Sequence, residues 1–348
     1  AYRTLLDDEN ESILDYATTV LYTLANGRKE QDEEERAGWG ENALSAYACL
    51  FQALCDGGFS GIGDWLWDKL RYTETPFALS AQSDSASRDV DALLALAELD
   101  CGAILTAIAA LLPPEQAPMV QAMPRWTASA PFDFERLVRF YRDHGAGLYA
   151  RYRAFLWEDG QLVPVADPDC PKPEDLLGYE QQRSQVETNT RQMMAGHYAN
   201  NVLLFGDGGT GKSATVKSML YLPGMEDLRL IEIQKENLTG LPQLMRSLGD
   251  KRQKFILFID DLSFTANDDN FAALKAILEG SLEKRPANVV IYATSNRRHL
   301  VRQNFSDRGN DEVDASETIA EKTALAERFG LRIPYMTMNK REYLALID

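Results

Sequence analysis

Residues 201–220 read NVLLFGDGGTGKSATVKSML, and this stretch decides the fold. Val202 to Phe205 form an unbroken apolar run, the pattern of a strand buried on both faces. Gly206-Asp207-Gly208-Gly209-Thr210-Gly211-Lys212-Ser213 then matches G-x-x-x-x-G-K-[ST], and Ala214 to Leu220 reads as helix. An anion needs this order. Glycines admit positive φ, so consecutive backbone N–H groups can converge on a phosphate. The helix N-terminus adds partial positive charge. Lys212 supplies a mobile cation for the β- and γ-phosphates, and the Ser213 hydroxyl suits Mg2+. Asp207 through Ala214 is therefore the expected phosphate cradle of a nucleotide.

Downstream, Arg229–Ile233, Lys254–Asp260, Asn288–Ala293 and Leu331–Tyr335 read as strands. Leu241–Leu248, Phe271–Leu282 and Thr318–Glu327 read as the helices between them. With the strand before the glycines, the alternation predicts an α/β fold with a five-stranded parallel sheet covered on both faces. Ligands bind such sheets at the carboxyl ends of the strands. Gly206–Ser213, Asp260-Asp261 and Thr294-Ser295-Asn296 all follow strand ends and should converge on one crevice. Asp260 closes an apolar run and is placed to hold Mg2+ together with Ser213. Asp261 is placed to orient or deprotonate an attacking water. Asn296 is an uncharged donor for that water or for the γ-phosphate. Arg328 is read as a stabiliser of transition-state charge in a neighbouring subunit, against the plainer reading of a helix-end arginine.

Upstream, residues 1–160 look mainly helical and 161–173 read as a proline-rich linker, with Pro164, Pro168, Pro171 and Pro173. Ala43–Leu54 and a long Asp89–Leu112 segment are expected helices, and Pro131–Trp157 an amphipathic stretch broken by Gly145-Ala146-Gly147. A polar helix is expected over Glu180–Met194. Arg136, Arg139, Arg142, Arg151 and Arg153 lie among aromatics, as a nucleic-acid surface would require. A salt-bridged helix face is the plainer account of them.

The formal charge of −17 argues against broad binding to nucleic acid or to anionic membrane. The acidic runs, Asp32-Glu33-Glu34-Glu35 among them, read as solvated helix faces. Cys49, Cys55, Cys101 and Cys170 form no CxxC pair, and His144, His197 and His299 make no ligand spacing. Ala103–Leu112 is too short to span a bilayer and no signal peptide is visible, so a cytoplasmic protein is expected.

GDGGTGKS, FILFIDD, ATSN and ERFG, in this order, resemble Walker A, Walker B, sensor 1 and the arginine-finger box of AAA+ ATPases. DLLGY, with Leu176, Leu177, Gly178 and Tyr179, resembles the box that contacts adenine. ERFGL also resembles the finger region of Holliday-junction branch-migration motors. More narrowly, DLLGYEQQ, NNVLLFGDGGTGKS, LFIDDLSF, LEGSLE, NVVIYATSNRRHL and AERFGL are similar to the bacterial AAA+ family called domain of unknown function eight-fifteen. The resemblance covers residues 173–348 and implies an ATPase core over 174–337, with residues 338–348 beginning a helical lid. It implies ATP or ADP with Mg2+, and a homo-oligomeric ring or spiral of about six subunits, with Arg328 as a finger in trans. Asp261 stands where vigorous AAA+ motors carry Glu, which resembles initiator and helicase-loader ATPases that act as switches.

The expected function is ATP binding and slow hydrolysis coupled to remodelling or recruiting a macromolecular partner, an unidentified protein held by the N-terminal half. The alternatives are a nucleic-acid-directed loader or clamp-like ATPase and a nucleotide-gated scaffold with negligible turnover; Arg297, Arg298, His299 and Arg302 suit contact with nucleic acid and contact with a neighbouring subunit equally.

Overall fold

The computed structural model describes residues 11–74, 78, 93–127, 134–262, 269–279, 285–296 and 325–337. The chain divides into two compact units, Ala1–Arg151 and Tyr152–Asp348.

The first unit is helical. It contains α1 (Glu11–Gly27), α2 (Glu33–Asp56), α3 (Ile62–Tyr72), α4 (Cys101–Ala109), α5 (Ala117–Gln121), α6 (Phe134–His144) and α7 (Leu148–Arg151). Asp32 caps α2, its carboxylate accepting from the Glu34 and Glu35 amides at 3.0 and 2.9 Å. Three glutamates then fill the first turn, where the helix dipole favours negative charge. That acidic run is thus helix-start chemistry rather than a binding tail. Ile13, Ala17, Val20 and Leu24 of α1 share one core with Tyr47, Leu50 and Leu54 of α2. The single helix expected over Asp89–Leu112 is interrupted: within its described part, residues 93–97 are helical and the chain turns at Glu98–Asp100. Asp100 restarts it as the N-cap of α4, accepting from the Gly102 and Ala103 amides. Gly145 and Gly147, at φ 76° and 74°, separate α6 from α7 as expected.

The second unit opens with β1 (Ala154–Glu158) and β2 (Gln161–Val165). Asp159 and Gly160, at φ 47° and 78°, make the tight turn between them, and Glu158 pairs with Gln161 across it. There follow α8 (Glu180–Met194), β3 (Val202–Gly206), α9 (Lys212–Ser218), β4 (Leu228–Ile233), α10 (Leu241–Leu248), β5 (Lys254–Ile259), α11 (Asp269–Glu279), β6 (Val289–Ser295) and β7 (Leu331–Tyr335). The sheet has seven strands in the order β2-β1-β4-β5-β6-β3-β7. The count of five is therefore corrected. The five expected strands are all present and parallel, while β1 adds parallel to β4 and β2 adds antiparallel at the edge. The extra pair comes from sequence assigned to helix and linker. Pro164 is tolerated there because β2 is an edge strand.

Strand order positions the site. β3 lies between β6 and β7, away from its sequence neighbours β2 and β4, so the order of the strands reverses beside it. β4, β5 and β6 are buried almost throughout, as strands covered on both faces must be, and β5 is apolar after its first residue. Beneath the sheet the Tyr292 hydroxyl is held by Asn189 Nδ2 at 3.0 Å and Thr190 Oγ1 at 2.8 Å. The Asn189 amide also brackets Asn200, donating to its carbonyl and accepting from its N–H, both at 2.9 Å. This buried polar network ties α8 to the start of β3.

Candidate functional site

Gly206 ends β3 at φ 140°, and a Cβ there would lie 2.0 Å from the Tyr335 carbonyl oxygen. Only glycine lets β7 approach this closely, and the Asp207 amide donates to that same oxygen at 2.9 Å. Gly209 and Gly211 have φ 73° and 81°, and a Cβ at either would meet nothing within 4 Å. These two glycines are needed for backbone angle rather than for space. Lys212 folds into the loop with its ammonium donating to the Asp207 carbonyl at 2.5 Å. It is 4% exposed. Burial lowers its pKa, with Asp207, Asp261 and Asp260 opposing the shift. The Thr210 hydroxyl closes the loop onto the Asp207 carbonyl at 2.8 Å. Ser213 and Ala214 fall in the first turn of α9, where the Thr215 amide and hydroxyl both donate to the Gly211 carbonyl at 2.9 Å.

The acids arrive from β5. Asp260 Oδ1 accepts from Ser213 Oγ at 2.6 Å, Thr294 Oγ1 at 2.5 Å and the Asp261 amide at 3.1 Å. Asp261 turns at φ 47°, a left-handed value uncommon outside glycine. Its Oδ1 accepts from Asn296 Nδ2 at 2.9 Å. Asn296 Oδ1 in turn lies 4.0 Å from where a Cβ on Gly208 would stand. The phosphate-loop motif, Asp260-Asp261 and Asn296 are thus brought together at the carboxyl ends of β3, β5 and β6, as their spacing suggested.

Leu176–Tyr179 is brought to β7 and, through it, to α9. Gly178 and Tyr179 have φ 70° and 54°. The Tyr179 ring stacks on Tyr335 at 4.9 Å, and its hydroxyl donates to the Met336 carbonyl at 2.6 Å. The Tyr335 hydroxyl bonds Thr215 Oγ1 at 3.0 Å. Leu176 is half-buried, while Leu177 is 67% exposed. Asp207 holds the chain just beyond: its Oδ2 accepts from the Thr337 amide at 2.7 Å and hydroxyl at 2.6 Å. Arg328 is not gathered into this group. It pairs with Glu279 of α11 at 3.4 Å and is about half exposed.

Sequence reasoning missed Thr337, and it placed Thr294 at the crevice without giving its hydroxyl a role. Thr294 lies near the end of the buried strand β6, two residues before Asn296, and that spacing is the signal that was available. Three of the N-terminal arginines have partners: Arg136 lies over the Trp67 ring at 4.6 Å, Arg151 pairs with Asp68 at 3.2 Å, and Arg142 pairs at the surface with its neighbour Asp143 at 3.2 Å. Arg153 belongs to the second unit and donates to the Met225 carbonyl at 2.7 Å. Arg297, Arg298, His299, Arg302 and the expected lid start lie outside the described residues.

The left-handed glycines of the loop and its buried lysine fit a polyphosphate. Ser213 and Asp260 are hard oxygen donors on one side of it, the kind of partial set Mg2+ takes when phosphate completes its coordination. Among the described residues no group of three His, Cys, Asp or Glu could hold a metal by itself, and no helix is long and apolar enough to cross a membrane. All four cysteines are free.

A family model described as "Protein of unknown function (DUF815)" matches residues 150–348. No curated protein matches the chain. Among solved structures, a point variant of Thermotoga maritima RuvB is similar at 16% identity and TM-score 0.34, over 51% of each chain. Thermotoga maritima RuvB described as a Holliday junction branch migration motor gives 15% and 0.32, again over 51% of each chain. DnaI gives 13% and 0.31, over 56% of this chain and 99% of its own. The chain thus spans about half the length of the RuvB chains it matches.

Proposed function

The chain belongs, through residues 150–348, to the DUF815 family, and we propose that it is an ATP-binding ATPase of the AAA+ type. In this reading Mg-ATP binding and slow hydrolysis are coupled to remodelling or recruiting a macromolecular partner. The observation that carries it is the Ser213 Oγ to Asp260 Oδ1 hydrogen bond at 2.6 Å, which joins the phosphate loop to the acidic strand end.

Bound Mg2+ would neutralise charge on the β- and γ-phosphates. Ser213 and Asp260 would hold it. The loop amides from Gly208 to Ser213 would take the phosphates, and the Lys212 ammonium would exchange the Asp207 carbonyl for a phosphate oxygen. Asp261 would orient the attacking water and accept its proton, with Asn296 holding that carboxylate and the water in line. Aspartate is one methylene shorter than glutamate, which favours slow turnover. Leu176–Tyr179 and Tyr335 would receive the adenine. Arg328, paired with Glu279 at the surface, would act on a neighbouring subunit in a homo-oligomer. The helical first unit would engage a protein partner. The engagement of Arg136, Arg142 and Arg151 in packing and ion pairs supports protein over nucleic acid there.

The test is nucleotide binding by fluorescence with a labelled ATP analogue. Lys212→Ala should weaken it by about 100-fold or more, the loss of a charge-assisted contact in a desolvated site, while the far-UV circular dichroism is retained. Unchanged affinity in a folded variant would overturn the reading.

A further inference from the structure

Resting on that reading, we propose that Thr294 is the positioning residue for both acids: one hydroxyl fixes which oxygen of Asp260 is offered to the cation and where the Asp261 carboxylate points. β6 is buried along its whole length, and Thr294, itself 2% exposed, interrupts it with a hydroxyl. That hydroxyl donates to Asp260 Oδ1 at 2.5 Å and accepts from the Asp261 amide at 2.9 Å. The Thr294 carbonyl accepts from the Leu262 amide at 2.7 Å. One residue of β6 therefore binds three successive residues of the neighbouring chain segment.

The consequences differ for the two acids. Asp260 Oδ1 already receives three donors, so it is fixed inward; Oδ2 makes no hydrogen bond among the described residues and is the oxygen free to face a cation's water shell. The Asp261 N–H, in its left-handed turn, donates to Thr294 Oγ1 and at longer range to Asp260 Oδ1, and from that turn the Asp261 carboxylate meets Asn296. Thr294 touches neither nucleotide nor water in this scheme. It acts through the acids.

Thr294→Val keeps the shape and removes the hydroxyl, taking one donor from Asp260 Oδ1 and leaving the Asp261 amide only its longer bond to that oxygen. Nucleotide affinity is measured with and without Mg2+ using the labelled ATP analogue, alongside kcat and KM of the full chain. Metal-free affinity should stay within about 3-fold of wild type, whereas the gain in affinity on adding Mg2+ should fall by about 10- to 100-fold, the usual cost of losing a group that orients a metal ligand. kcat should fall more than KM rises, and Thr294→Ser should restore both to within about 3-fold. If the valine variant lacks the wild-type circular dichroism, Thr294→Ala carries the same test. A hydroxyl-free variant with wild-type Mg2+ dependence overturns the proposal. So does a folded serine variant that fails to rescue, since the methyl group would then be the part that matters. A wild-type protein that binds nucleotide without any response to Mg2+ overturns the functional reading instead, and this proposal with it.

Discussion

Tyr292 carries a phenol into the apolar interior beneath the sheet, and burial pushes its pKa up to about 12, with the Thr190 and Asn189 hydrogen bonds opposing the shift. In the unfolded chain the phenol ionises near 10, so between about 10 and 12 the unfolded state loses its proton first. The contribution to stability is whole below 10 and is lost as the pH climbs towards 12. Chemical denaturation of wild type and Tyr292→Phe over that range should show this slope in the first and its reduction in the second. At neutral pH the variant should cost only about 1 kcal/mol. Asn189 keeps its bond to the Asn200 carbonyl and Thr190 its bond to the Val186 carbonyl, so neither is orphaned. At this scale the sequence was most legible where chemistry demands a residue type at a fixed spacing. Lys212, Ser213 and Asp260 are such positions. Asp207 and Thr294 were opaque as to their partners, because what each binds is set by strand order: Thr337 is 130 residues from Asp207, and Asp260 is 34 from Thr294.

Elements were read well where the period was strong. Glu180–Met194, Leu241–Leu248 and Leu331–Tyr335 form over the expected residues. The failures have identifiable causes. Phe155 and Trp157 continue the aromatic spacing of the helices before them, yet Asp159-Gly160 is the turn pair that supports a two-residue hairpin. Apolar spacing outvoted turn chemistry in that stretch, and proline density hid β2. Likewise the Ala/Leu-rich run around Asp100 has helical composition, and only the capping carboxylate of Asp100 divides it. The hairpin changes where the second unit can be cut. Phe155 and Trp157 are 1% and 5% exposed, and β1 covers the edge of β4. A fragment beginning at Tyr152 should unfold cooperatively on heating. One beginning at Glu174 should lose at least about 3 kcal/mol for two large aromatics and aggregate through the bared β4 edge. Equal midpoints and equal solubility for the two fragments would contradict this account of the hairpin.

For the molecule as a whole, the acidic charge and the two units frame one question, namely whether the site is complete in a single chain. Its described members come from one unit, but Arg328 stands apart on Glu279, in an exposed pair of the sort worth about 0–1 kcal/mol and so easily exchanged. If Arg328 serves a neighbour, Arg328→Ala and Lys212→Ala proteins should each be nearly inactive alone. Mixed, they should recover part of the ATPase rate, because some interfaces pair an intact arginine with an intact loop. Co-assembly without recovery, shown by sedimentation, would remove Arg328 from that role. A last consequence follows from Asp207. The motif leaves that position unrestricted, yet here its main-chain oxygen holds Lys212 while its carboxylate grips Thr337. Grafting in the loop of another ATPase with the same signature would preserve the cradle and sever this tether. Two loops that spell the same pattern are therefore not spare parts for one another: the half facing the phosphate answers to the motif, and the half facing the end of β7 answers to a threonine 130 residues away.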